Sequence, residues 1–190
     1  HYTSPKGLFG ILESKSFYVT HASYLNDPTE IDYSEDILIK AIAKYGSHKN
    51  YHEISSSLIK SHVSKEKQEH YALSLSSNAD SLSMWQYYGN YGYSLKINLI
   101  ELYSCAFVEG VPCDTGRMLN SSISRIIYSE EKQIELLQKK LDPIFDLTFD
   151  SEECLKRIET FFNSYEYAKM YFKNKAYEHE NEYRCVFSLN

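Results

Sequence analysis

The chain has 190 residues, 43% hydrophobic and 24% charged, enough to bury a core as one domain over residues 1–190. A net charge of −6 and a pI near 5.7, with no basic block, argue against duplex nucleic acid as a general partner. No apolar run approaches the roughly 20 residues that a membrane span needs, so no membrane partner is expected.

Cys105, Cys113, Cys154 and Cys185 form no CxxC pair and no metal-finger spacing. With no signal peptide, they read as reduced thiols of a cytoplasmic protein. The chain starts at His1 without Met, so a trimmed N-terminus that lacks a strand's opening residues is expected. The compositional outlier is tyrosine, 18 residues against one tryptophan; such rings line clefts, and they also serve as core filler.

Ser4-Pro5 starts a helix that runs to about Ser14, with Leu8, Ile11 and Leu12 at helical spacing. SFYVT (16–20) predicts a short strand. In NDPTE (26–30), Asp27 caps, Pro28 takes the first helical position and Glu30 reaches back; the helix behind it carries Ile31, Ile37, Leu38, Ala41, Ile42 and Tyr45. A weaker helix is expected around 51–62. YALSLS (71–76) alternates as a strand, and a short helix from about Ser81 carries Met84, Trp85 and Tyr88.

GNYG is a turn before YSLKINL (93–99), the clearest strand pattern, and 109–122 reads as a loop. SRIIYS (124–129) is a strand leading to a helix with Ile134, Leu137, Leu141 and Ile144. Asp150, with Glu153 three residues on, starts a helix with the stripe Leu155, Ile158, Phe162, Tyr165 and Ala168, and EYRCVF (182–187) is a terminal strand. This order predicts an α+β fold, a mixed and mainly antiparallel sheet that forms a cleft and is wrapped by helices. GxGxxG and GxxxxGK[ST] are absent.

His48 and His52 stand four apart, with His62 and His70 further on, but Lys49 follows the first where a zinc protease would have Glu; a structural or solvated role is the simpler reading. No serine lies in G-x-S-x-G. EHENEYRCVF (178–187) is different. Residues two apart share a strand face, so Glu178, Glu180, Glu182 and Arg184 line up while Tyr183, Cys185 and Phe187 turn to the core. That face is either a solvated ladder or a catalytic floor. Ser74 and Ser76 share another strand face and His1-Tyr2-Thr3 opens a third, so convergence of the three would build a polar cleft.

HYTS…GLFGIL, YLNDPTE, LSLSSNADSLSMWQYYGNYGYSLKINL and YEHENEYRCVF, in that order, resemble the bacterial family of unknown function DUF2971 over nearly the whole chain. More distantly, His, then S-x-S on a strand, then E-x-E at the head of a late strand is similar to NAD-dependent ADP-ribosyltransferases. That resemblance implies an ADP-ribosyltransferase-like fold, with NAD as substrate. It implies that His1 holds the ribose or phosphates, Ser74 and Ser76 brace the site, and Tyr87 or Tyr88 stacks on nicotinamide. Glu182 would contact the ribose 2′-hydroxyl, and Glu180 would be the acid on the acceptor side.

The expectation is therefore an NAD-consuming glycosyl transfer enzyme, a transferase or a glycohydrolase, acting as a bacterial toxin or antiviral defence effector on a protein or nucleic-acid acceptor. Helices rich in Tyr, Leu and Phe leave room for a regulatory protein partner or a homo-oligomer. One alternative is a non-catalytic nucleotide- or peptide-binding module. Another is a metal-dependent nuclease or phosphotransferase using the acids and His179, although His179 and Glu180 would point to opposite faces of a strand.

Overall fold

Serine hydroxyls start three of the helices in the computed structural model, which describes residues 1–27, 29–64, 69–102, 119–149 and 151–189. Ser4 Oγ accepts from Gly7 N at 3.0 Å, Ser129 Oγ from Lys132 N at 3.2 Å and Ser151 Oγ from Cys154 N at 3.1 Å. Each supplies an acceptor for an amide that the first helical turn leaves without one.

In chain order the elements are β1 (Tyr2–Thr3), α1 (Pro5–Ser14), β2 (Thr20–His21), α2 (Glu30–Ala43), α3 (Tyr51–Ser64) and β3 (Glu69–Ser76). There follow α4 (Leu82–Met84), which runs on as a π-helical turn over Trp85–Gly89, then β4 (Tyr93–Ser94) and β5 (Leu119–Arg125). The last are α5 (Glu130–Phe145), α6 (Glu152–Ala168) and β6 (Glu182–Leu189). The fold is mixed α+β. Among the described residues the strands form a four-stranded sheet of order β2-β3-β6-β5 and a separate pair β1-β4, antiparallel throughout.

The chain divides into two compact units, His1–Asn26 with Gln68–Ile126 and Ala176–Asn190, and Asp27–Lys67 with Ile127–Lys175. The second is helical. Its core joins Ile37 of α2, Leu58 of α3, Leu141 and Phe145 of α5, and Ile158 and Phe162 of α6, all buried. Each such side chain contributes about 1.5–3 kcal/mol on burial. Polar stitches tie the helices: Tyr33 donates to Gln133 Oε1 at 2.8 Å, and Gln133 Nε2 donates to the carbonyls of Ile127 and Lys173. Burial pushes the Tyr165 hydroxyl far above its usual range, so it stays protonated and donates to Ser34 O at 2.9 Å.

The first unit holds the sheets. One face of the four-stranded sheet carries Leu73, Leu75 and Cys185, with Phe17, Ile97, Leu99, Ile123, Tyr183 and Phe187 against them. That is the core face expected for Tyr183, Cys185 and Phe187.

Several local expectations need correction. Only Thr20–His21 of the 16–21 region pairs as a strand, because β3 offers it just Ala72 and Tyr71. Asp27 closes a turn ahead of α2 instead of capping it: its Oδ1 accepts from the Thr29 amide and hydroxyl, at 2.9 and 2.6 Å. Pro28 lies outside the described residues, as do Cys105, Cys113, Asp150 and most of the loop expected at 109–122. Leu119–Ser122 of that loop belong to β5, which ends at Arg125, so only Ser124 and Arg125 of SRIIYS are strand.

YSLKINL is strand only at Tyr93–Ser94. The His1 and Leu95 backbones also exchange hydrogen bonds, both 2.8 Å, so the ladder reaches one residue further. Beyond it, Ile97 and Leu99 keep their alternation because both pack on the sheet core.

Gln133 is completely buried. Gln133→Leu removes its three hydrogen bonds and is expected to lower stability by about 3 kcal/mol, at about 1 kcal/mol each. Urea denaturation checks this; a change below about 0.5 kcal/mol would show that the stitches contribute nothing.

Candidate functional site

β6 lies between β3 and β5 and is hydrogen-bonded on both sides. Register sets Ser76 opposite Glu182 and Ser74 opposite Arg184, with Ser124 of β5 on the other side of Arg184. Directly paired residues share a sheet face, so Ser74, Ser76, Ser124, Glu182 and Arg184 lie together on the face away from the Leu73–Cys185 core. Ser74 and Ser124 are exposed, while Arg184 between them is only 1% exposed.

Arg184 grips Glu182 with both ends of its fork, Nε to Oε1 at 2.9 Å and Nη2 to Oε2 at 3.1 Å. Glu182 is 3% exposed. The i,i+2 spacing on one strand permits this parallel, two-bond geometry. The pair is therefore not a solvated surface ladder. Its counterions are removed from water, where the interaction is strong and the desolvation cost is also large.

The expected single line of Glu178, Glu180, Glu182 and Arg184 does not form. Residues Lys175–Glu180 turn as a 3-10 helix, and Asn181, at φ 46°, breaks the chain before β6 begins at Glu182. Glu178 is exposed, whereas Glu180 is 6% exposed and turned inward by this helix. Tyr88 donates to Glu180 Oε1 at 2.9 Å, and Ser76 Oγ donates to the Glu180 carbonyl at 2.7 Å. Ser77 N donates to Asn181 O at 3.0 Å, fastening the turn to the end of β3.

Of the other predicted residues, His1 lies with Ser74: its Nδ1 is 3.3 Å from the Ser74 carbonyl, and its ring meets Phe17 edge-on at 5.6 Å. Tyr88 joins the acids. Tyr87 does not; it is 70% exposed. His1–Ser74, Ser76–Glu180–Tyr88 and Glu182–Arg184 are thus three contacts at the same end of the β3–β6 pair.

Sequence reasoning did not single out Tyr2. Its hydroxyl donates to Asn78 O at 2.7 Å and accepts from Ser81 N at 2.9 Å, closing the loop that follows β3. Its ring meets Trp85 edge-on at 4.9 Å, and Trp85 Nε1 donates to Asp80 at 2.8 Å. Gly92 completes this frame, since a Cβ there would stand 2.1 Å from the Thr3 carbonyl oxygen. Nothing in the spacing of Tyr2 announces its role; only the GNYG turn marks the close approach.

Of the histidine pair, His48 packs on the helical core and His52 faces solvent. His48 meets Phe145 edge-on at 5.5 Å and its Nδ1 accepts from Asn50 N at 3.3 Å, while His52 is exposed beside Tyr51. His179 is exposed, with Nδ1 3.1 Å from Ala176 O. Among the described residues no group of three His, Cys, Asp or Glu side chains is placed to hold a metal. Burial pushes the Cys185 thiol up to about 11, consistent with an inert core residue. No helix among the described residues is long and apolar enough to cross a membrane.

The molecule is thus a mixed α+β protein whose antiparallel sheet carries a buried carboxylate–guanidinium pair at the head of its last strand. A family model described as "Protein of unknown function (DUF2971)" matches residues 84–185, more than half of the chain, and the chain belongs to that family. The matched span contains Tyr87, Tyr88, Glu180, Glu182 and Arg184, and leaves His1, Ser74 and Ser76 outside it. No curated protein and no solved structure matches the chain.

Arg184→Ala is expected to cost about 3–5 kcal/mol because it strands a buried carboxylate, whereas Glu182→Leu combined with Arg184→Met should cost far less. Chemical denaturation of the three proteins measures both. A double variant less stable than Arg184→Ala would contradict the assignment of the cost to the orphaned charge.

Proposed function

We propose that the chain is an NAD-consuming, ADP-ribosyltransferase-like enzyme, acting as a bacterial toxin or defence effector on a protein, nucleic-acid or water acceptor. The observation that carries this reading is the meeting of S-x-S with E-x-E, Ser76 being opposite Glu182 in register and hydrogen-bonded to the Glu180 carbonyl. Two carboxylates, the exposed Ser74 hydroxyl, the His1 imidazole and the Tyr88 hydroxyl at one strand end form a set of polar groups suited to a dinucleotide.

In the proposed reaction the bond between ribose C1′ and the nicotinamide nitrogen breaks, and its electron pair leaves with nicotinamide. The acceptor atom forms the new bond to C1′ and gives up its proton, for which Glu180 is the base. Positive charge grows on the sugar as the bond breaks. A fixed carboxylate at the 2′-hydroxyl, Glu182, stabilises that charge more in the transition state than in the ground state. His1 would hold the ribose or phosphate side, Ser74 and Ser76 would brace the site, and Tyr87, being exposed, suits stacking on nicotinamide better than Tyr88, whose hydroxyl is engaged by Glu180.

The tight burial of Glu182 against Arg184 favours a second reading, a non-catalytic module that binds a nucleotide or peptide through the serine and tyrosine surface. The two differ in turnover. Purified protein incubated with NAD and a cell extract as acceptor source is expected to release nicotinamide, measured by chromatography. Glu182→Gln should lower that release at least about 100-fold, on the scale of losing one transition-state contact, with an unchanged circular dichroism spectrum. NAD-dependent thermal stabilisation without any release would instead support the binding module.

A further inference from the structure

We infer that Arg184 is a positioning residue for Glu182, acting through that carboxylate and touching no atom of the substrate. The inference rests on the NAD reading of the same site. A glutamate carboxylate rotates about its terminal torsion with little preference, so an acid that must meet one hydroxyl needs something to fix its plane. Arg184 does so with two parallel bonds, 2.9 and 3.1 Å, to the two different oxygens.

The support beneath it is rigid. Arg184 stands on the strand that is paired on both sides, opposite Ser74 and Ser124. Both neighbours are small, so neither competes for the space along the strand in which the guanidinium lies against Glu182. Its Nε and Nη2 both donate to Glu182, so the guanidinium is turned to that carboxylate and acts through it. A lysine would keep the charge but lose the planar fork, so charge and geometry can be separated by one substitution.

The test compares nicotinamide release from NAD by the full chain in wild-type, Glu182→Gln and Arg184→Lys forms. The expected result for Arg184→Lys is a kcat lower by about 100-fold, as for a misplaced catalytic group, with KM for NAD within about threefold of wild type. An Arg184→Lys protein with wild-type kcat, or with a raised KM and unchanged kcat, overturns the inference while leaving the NAD reading in place. A wild-type protein that releases no nicotinamide, or a Glu182→Gln protein as active as wild type, overturns both.

Should Arg184→Lys fail to fold, the Arg184 Nε–H resonance of wild type decides. It should stay protected from exchange when a carbocyclic, uncleavable NAD analogue is added. Loss of protection on adding the analogue would mean that the pair opens for the ligand, and would overturn positioning.

Discussion

A buried carboxylate must be held or it must be neutralised, and the Glu182–Arg184 pair meets that constraint within one strand. Each charge costs several kcal/mol to remove from water, and only a bidentate, well-supported geometry offsets it. The surrounding structure follows from this need. β6 is paired on both sides, Ser74 and Ser124 flank the guanidinium, and Asn181 adopts a left-handed backbone so that the chain leaves the preceding 3-10 turn in register. The same break turns Glu180 away from the line of the strand and brings it to Tyr88 and Ser76.

Much of the fold is legible in the chain because its periodicities are strong. Ser4-Pro5 announces α1, the Leu137–Leu141–Ile144 spacing announces α5, and YALSLS and EYRCVF announce the two central strands. The misreadings share a cause: local pattern does not say how many partners a strand will have. SFYVT meets only Ala72 of β3, through Thr20, and YSLKINL meets only the opening residues of the chain. Alternation there records which side chains face the sheet core, without a ladder to match.

The candidate site is legible in residue type and only partly in geometry. The acids, the serines, His1 and Tyr88 do gather at one end of the β3–β6 pair. Their face, however, depends on Asn181, whose left-handed backbone nothing in EHENEYRCVF announces. Tyr2 was invisible for a similar reason: its work is done by a hydroxyl reaching across to a loop more than seventy residues away. Arg184 was legible as a partner of Glu182, and its burial was not. Burial is what separates a surface ion pair worth little from one that is costly to break.

The proposed reaction requires that NAD bind at this end of the sheet. The most direct measurement is an NMR titration of the labelled chain with NAD, following backbone amides. If NAD binds there, Ser74, Ser76, Tyr88 and residues 180–184 shift together with one dissociation constant while the helical unit's amides around Leu141 and Ile158 stay put. Shifts confined to the helical unit, or none at all at millimolar NAD, would contradict it.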